Sequence, residues 1–275
     1  MMIFWIVLGS IGGLLLLLTL LYLLWMVRPK GGKPADPALL CDYAHRGLHG
    51  EGVPENSLAA FEKACGAGFG IELDIQLSRD GEVMVFHDYT LVRMTGCEKK
   101  VCELDVSELK KLSLGDSNEK IPTFREVLAL VNGRVPLLVE LKGESLDAAL
   151  CPKAAGLLRG YRGAYCVESF NPLLIREMKK LIPSVYSGLL YTNVCRDKKK
   201  KSALNIALTA MSLNGLSKPN FIAYNQADRD SLPVKLATRF YKAPRFIWTA
   251  RSREDYDRAH ALGECPIFEN IPFDA

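Results

Sequence analysis

His45 and His87 each end a strand-like run, and between them lies Glu72-Leu73-Asp74, two carboxylates two residues apart. Arg46 follows the first histidine and Asp88 the second. Imidazoles titrating near neutrality serve as general base and general acid, oxygen ligands hold a hard divalent cation, and an arginine binds phosphoryl oxygens. Cleavage of a phosphodiester requires this combination. A single histidine beside an apolar run is more often structural, so the reading depends on whether the chain brings both to one place.

The elements that would do so can be read locally. Glu72 and Asp74 alternate with Ile71, Leu73, Ile75 and Leu77, so on a strand the apolar residues share one face and the carboxylates the other. Two carboxylates buried together need a compensating charge. Glu140, on Leu137-Leu138-Val139-Glu140-Leu141-Lys142, supplies a third oxygen from a neighbouring strand. An all-oxygen shell suits Mg²⁺ or Ca²⁺ better than Zn²⁺. Asp80-Gly81 is a two-residue hairpin signal that pairs Arg79 with Glu82 and, counting outward, Asp74 with His87.

Nine short apolar runs follow one another: 41–44, 70–77, 82–86, 135–141, 164–167, 185–191, 221–224, 245–249 and 266–269. Helical stretches lie between them, among them 57–67, 123–131, 172–181 and 252–262, several opening on Ser, Thr or Pro. With the 82–86 run assigned to the hairpin, eight strands remain. The expected fold is a (β/α)8 TIM barrel with a β-hairpin after strand 2. His45, Glu72, Asp74, Glu140, Lys142 and Glu168 then fall at the C-terminal strand ends, where such barrels carry their active sites.

Residues 1–27 of the 275-residue chain carry no charge, and as a helix they would measure about 40 Å. They are expected to form a transmembrane anchor, residues 28–38 a short polar linker, and residues 39–275 one barrel domain. A cleaved signal peptide would want a charged start and a small-residue cleavage site, and neither is evident. Arg28, Lys30 and Lys33 follow the span while no basic residue precedes it, which places the barrel in the cytoplasm by the positive-inside bias. Eight scattered cysteines fit reduced thiols, with Cys97 and Cys102 the one pair close enough to bridge locally.

A net charge of +4 without basic patterning speaks against a nucleic-acid partner. Lys198 to Lys201 read either as a solvated helix start or as a contact for anionic headgroups. The apolar stretch from Ala203 to Leu216 reads as an ordinary barrel helix or as a lipid-facing one.

Together these motifs resemble the glycerophosphodiester phosphodiesterase family. The likeness rests on His45-Arg46-Gly47, Pro54-Glu55-Asn56-Ser57, Glu72-Leu73-Asp74, Asp80-Gly81 and His87-Asp88, and continues through Glu140-Leu141-Lys142, Glu168-Ser169-Phe170-Asn171 and Trp248-Thr249. The resemblance implies a metal-dependent barrel that hydrolyses a glycerophosphodiester to glycerol phosphate and an alcohol. It implies His45 and His87 as the catalytic pair and Glu72, Asp74 and Glu140 as metal ligands. Arg46 and Lys142 would contact phosphate, Glu55, Glu168 and Trp248 would lie nearer the substrate, and Asn56 would orient the His45 loop.

Many relatives end their last strand with Thr-Asp before proline, whereas this chain reads Phe268-Glu269-Asn270-Ile271-Pro272, so the resemblance assigns that end no role. The short stretch between His87 and Glu140 leaves no room for a large inserted domain. Membrane anchoring would favour a lysophospholipid over a soluble headgroup diester as substrate. The rival expectations are a phospholipase C-like cyclising phosphodiesterase and a catalytically silent membrane-anchored binding module.

Overall fold

The computed structural model describes residues 1–143 and 149–272. Its strands are β1 (Tyr43–Ala44), β2 (Gly70–Leu77), β3 (Val83–Val85), β4 (Leu137–Leu141), β5 (Tyr165–Ser169), β6 (Ser187–Tyr191), β7 (Phe221–Asn225), β8 (Arg245–Ala250) and β9 (Cys265–Phe268). All but β3 run parallel, each beside the next, and β1 pairs with both β9 and β2 to close the ring. The eight-stranded barrel expected from the βα rhythm is therefore present. Its helices start where their caps dictate: Ser57 Oγ accepts from Ala60 N, and Thr123 and Glu126 form a reciprocal capping box.

The hairpin differs from expectation by one residue. Gln76 lies opposite Met84 and Leu77 opposite Val83, and the Ser78 amide donates to Glu82 O at 3.0 Å. The turn is a three-residue loop, Arg79-Asp80-Gly81, with Gly81 at φ +80°, a conformation that Cβ-bearing residues avoid. Asp74 O consequently accepts from Phe86 N rather than facing His87. A slip of one residue would turn a side chain to the other face, but β3 ends at Val85 and His87 lies beyond it.

Because β1 has only two residues, it covers just Gly70 and Ile71 on its edge of β2, while β4 occupies the opposite edge. β3 pairs with Ile75, Gln76 and Leu77 on the edge that β1 leaves open. The chain after β1 thus rises along β2 while the chain after β3 descends toward it. His45 and His87 follow these two segments, and they converge beside Glu72 and Asp74.

Period-two alternation stacks the barrel interior in layers. Tyr43, Leu138, Cys166 and Phe246 belong to a buried interior cluster, and two residues further along the same strands stand His45, Glu140, Glu168 and Trp248. The polar site therefore rests on an apolar floor. Phe221 stacks on Phe246 at 4.3 Å and on Tyr186 at 5.3 Å within that floor. A Cβ on Gly188 would lie 2.0 Å from the Phe221 ring, which is fully buried and has nowhere to move. Gly188→Ala is expected to destabilise the barrel by about 1–3 kcal/mol, read as a lowered urea or thermal midpoint.

Ahead of the barrel, the helix Met2–Leu21 continues through π-helical turns over Tyr22–Met26. These 25 residues, with an 18-residue window of mean hydropathy 2.4, are long and apolar enough to cross a membrane. The segment that follows, expected as a short polar linker, is tied to the barrel at several points. Val27 is fully buried, its carbonyl accepts from Asn214 Nδ2 at 2.8 Å, and Lys30 N and Gly31 N donate to Pro219 O. Tyr186 OH donates to Gly32 O at 3.1 Å. All eight cysteines are free, Cys97 and Cys102 included.

Candidate active site

Each histidine is held through Nδ1 by a carboxylate. His45 Nδ1 lies 2.5 Å from Glu269 Oε2, and His87 Nδ1 lies 2.6 Å from Asp88 Oδ1. With Nδ1–H donated to the carboxylate, Nε2 is left as the nitrogen free to exchange protons. His45 Nε2 lies 3.9 Å from Glu72 Oε2, facing the acidic cluster. Each orienting carboxylate is gripped in turn by an arginine: Arg251 Nε donates to Glu269 Oε1 and Arg93 Nε to Asp88 Oδ2, both at 2.6 Å.

The loop after His45 is pinned to the acidic strand. Arg46 N donates to Glu72 Oε2 at 2.8 Å, and Asn56 Nδ2 donates to Asp74 Oδ2 at 2.8 Å, while Asn56 N donates to Arg46 O. Arg46 holds φ +55° and Gly47 φ +81°. A Cβ on Gly47 would come within 2.9 Å of both the Ala60 Cβ and the Phe61 ring, which accounts for the glycine in His45-Arg46-Gly47. The expectation that Asn56 orients this loop agrees with that geometry.

Cross-strand register aligns Asp74, Glu140 and Glu168 on β2, β4 and β5, and all three are buried with Glu72. Burial pushes the Glu72 carboxyl well above its ordinary range, and the neighbouring charges of Asp74, Glu140 and Glu168 push it further. Burial raises Glu140 to about 7 against the pull of Lys142. Asp74 goes the other way, because Lys142, His87 and Arg46 overcome the effect of burial and hold it well below the usual carboxylate range. Burial lowers His45 and His87, opposed chiefly by Glu269 in one case and Asp74 in the other.

Lys142 Nζ lies 2.9 Å from Asp74 Oδ1 and 2.8 Å from Glu140 Oε1. Arg46 Nη1 donates to Glu55 Oε1 at 2.9 Å, and Arg93 donates to the same carboxylate. Four buried carboxyls thus face two cations, Lys142 and Arg46, so all four can ionise together only if further positive charge is brought to them. One oxygen from each of Glu72, Asp74 and Glu140 lies within 4.8 Å of the others, and Glu168 Oε2 is buried without a hydrogen-bond partner. This oxygen-only donor set fits a hard divalent cation.

Of the residues singled out in the sequence, His45, Arg46, Glu72, His87, Glu140, Glu168 and Trp248 line one cavity of about 120 Å³. Asp74 lies buried against Lys142, and Lys142 lines an adjoining cavity of about 590 Å³ together with His87 and Phe170. Glu55 sits behind Arg46. Trp248 Nε1 donates to Ala223 O, and its ring meets Phe170 edge-on at 5.6 Å. Sequence reasoning missed Glu269, Arg93, Arg251 and His49, whose Nε2 lies 3.9 Å from Glu269 Oε2. Only the position of Glu269 at the C-terminal end of the last strand signalled it.

Burial would raise Glu269, but its bond to His45 and then Arg251 hold it at about 2, so it faces the imidazole as a carboxylate. Glu269→Gln keeps the shape and removes the charge that favours protonated His45. Its titration limb in the pH–rate profile is expected to move to lower pH, and kcat to fall about 10- to 100-fold, while KM changes little.

A sequence model described as the glycerophosphoryl diester phosphodiesterase family matches residues 45–272. The chain is 38% identical over 159 residues to a glycerophosphodiester phosphodiesterase of Caldanaerobacter subterraneus subsp. tengcongensis, covering 54% of this chain and 65% of that protein. It is 35% identical over 171 residues to glycerophosphodiester phosphodiesterase 1 of Homo sapiens, covering 58% of this chain and 50% of that one. The matched region thus spans about half to two thirds of the length of these curated relatives.

Among solved structures, a phosphodiesterase from Oleispira antarctica in complex with the product sn-glycerol-3-phosphate shares the fold. Its TM-score is 0.69 at 24% identity, covering 83% of this chain and 92% of that one. A glycerophosphodiester phosphodiesterase from Thermotoga maritima gives 0.62 at 28% identity, covering 83% and 94%. With the family model spanning the barrel from its first histidine to beyond Glu269, the chain belongs to the glycerophosphoryl diester phosphodiesterase family.

Proposed function

We propose that this chain hydrolyses glycerophosphodiesters to glycerol phosphate and an alcohol, and lysophospholipids to the corresponding acylglycerol phosphate and an alcohol, with a divalent metal bound at Glu72, Asp74 and Glu140. The observation that carries the reading is the pair of imidazoles, each fixed through Nδ1 by a carboxylate, lining one cavity with the acidic cluster. One imidazole removes the proton from the attacking hydroxyl, and the other delivers a proton to the leaving alkoxide oxygen. Arg46 and Lys142 bind the phosphoryl oxygens and offset their charge. When bound, Mg²⁺ or Ca²⁺ would add positive charge against the negative charge on the phosphoryl oxygens.

The wider cavity adjoining the site at His87, Glu140 and Phe170 accommodates a bulky group on the diester. The N-terminal helix serves as a single-pass anchor with the barrel on the cytoplasmic side, which keeps the site near lipid-derived substrate. Its last turns pack on the barrel through Tyr22, Leu23 and Trp25, and Val27 just after them is buried, an arrangement that a cleaved leader would not keep.

The test is release of glycerol phosphate from glycerophosphocholine and of acylglycerol phosphate from lysophosphatidylcholine, followed by ³¹P NMR with and without EDTA. A resonance of a cyclic phosphate during turnover reports attack by the glycerol hydroxyl; its absence reports attack by water. No turnover of either diester with Mg²⁺ or Ca²⁺ present would leave the silent-module reading in its place.

A further inference from the structure

The end of the N-terminal helix runs down the outside of the barrel in a fixed direction. Tyr22 OH donates to Ala210 O, Trp25 lies against Gly215, Val27 O accepts from Asn214, and Lys30 N donates to Pro219 O. Ala210 belongs to the catalytic rim: the preceding Thr209 O accepts from Tyr191 OH, at the C-terminal end of β6, and Thr209 Oγ1 accepts from Cys195 N in the loop above that strand. Pro219 and Gly32 belong to the opposite rim, where β6 and β7 begin. Going back from Tyr22, Met2–Leu21 therefore leaves the barrel on the catalytic side, extending about 30 Å with no buried residue.

The same rim carries surface that the barrel does not use. Lys198, Lys199, Lys200 and Lys201 are all exposed between the helix Val194–Asp197 and the helix Ala203–Thr209. Among the described residues none of the four forms an ion pair, and Asp197 is taken by Arg196 and Thr192. Beside them Leu204 is 62% and Ile206 52% exposed, and Leu232, just past the end of β7, is 67% exposed. Basic residues flanked by bare aliphatic side chains match the headgroup and upper acyl region of an anionic leaflet.

We propose that the barrel lies with its catalytic rim on the anionic leaflet that holds the N-terminal helix. Lys198–Lys201 engage headgroups, and Leu204, Ile206 and Leu232 reach the acyl boundary. The inference rests on the reading of that helix as a membrane anchor. It makes the bilayer itself the docking partner, so that a lysophospholipid enters the cavity at Phe170 and Trp248 from the membrane plane. Docking of the last helical turns on the barrel holds this posture, which a free linker would not.

Hydrogen exchange of the full chain in nanodiscs tests it. In phosphatidylcholine discs containing phosphatidylserine, amides of residues 203–209 are expected to exchange at least about tenfold more slowly than in neutral detergent, since each nearby lysine strengthens attachment to an anionic surface about fivefold. Peptides from the opposite rim, around residues 182–187, are expected to be unchanged. Replacing the four lysines with glutamine, or making Leu204→Glu with Ile206→Glu, should abolish the protection. Both variants should slow hydrolysis of lysophospholipid in the same discs about tenfold while leaving soluble glycerophosphocholine turnover unchanged.

Equal exchange in discs and detergent overturns the proposal. So does protection in detergent that grows with protein concentration, which identifies a second copy of the chain on this rim. Failure to turn over soluble diester would count against the catalytic reading alone, because the exchange measurement decides the posture without it.

Discussion

His45→Ala and His87→Ala are each expected to lower turnover of glycerophosphocholine about 10³-fold while leaving the barrel folded. Proton transfer is needed at both ends of a phosphodiester displacement, so neither imidazole substitutes for the other. The double variant should lose little more than the worse single one, because the two act as a unit. Each single variant should also lose one limb of a bell-shaped pH–rate profile, the acidic limb for the base and the alkaline limb for the acid.

Folding should survive because neither ring belongs to the apolar core and neither leaves an orphaned charge behind. His45 gone, Glu269 keeps Arg251; His87 gone, Asp88 keeps Arg93. Unchanged thermal midpoints with lost turnover would separate this from mere destabilisation. Turnover within a few-fold of wild type in either variant would remove the two-imidazole mechanism.

Much of this site was legible because its residues advertise their faces. Glu72 and Asp74 alternate with Ile71, Leu73 and Ile75, and that pattern alone directs the acids inward. Asp80-Gly81 announced the turn, but not whether two or three residues form it; Ser78 Oγ bonding to Asp80 Oδ1 at 2.6 Å selects the longer loop. The resulting register slip did not separate the histidines, since β1 and β3 share one edge of β2, a relation set by the shortness of β1.

What stayed hidden comes from elements far apart in the chain. Glu269 reaches His45 across 224 residues and Arg93 reaches Glu55 across 38, and no local spacing encodes either pairing. Docking of the N-terminal segment depends on Asn214, Pro219 and Tyr186, which carry no periodic signal of their own. The composition of residues 28–38 reads as a linker, yet the backbone of Lys30, Gly31 and Gly32 bonds to Pro219, Asn220 and Tyr186 of the barrel.

Chelation is expected to remove hydrolysis as completely as loss of a histidine does, and Glu72→Gln should be insensitive to added Mg²⁺ or Ca²⁺. The same substitution should leave the thermal midpoint of the chelated protein unchanged or raise it. Glu72 is buried among like charges, and an amide relieves both the desolvation and the repulsion that push its carboxyl up. Wild type should gain stability from the cation by mass action, about 2.7 kcal/mol at one hundred times Kd, and the variant should not. Uptake of the cation should also release protons at pH 7. Burial raises the Glu72 and Glu168 carboxyls well above their ordinary range and Glu140 to about 7, so these are the groups that cation uptake would deprotonate, whereas Asp74 is held well below that range and contributes none. Because a raised carboxyl loses its proton as pH climbs, the release should shrink above pH 7, with the share from Glu140 going first, and Glu140→Gln should remove that share. Titration calorimetry in two buffers of different ionisation enthalpy counts these protons directly. Cation uptake without proton release, or a lowered midpoint for Glu72→Gln under chelation, would place the metal somewhere other than among these carboxylates.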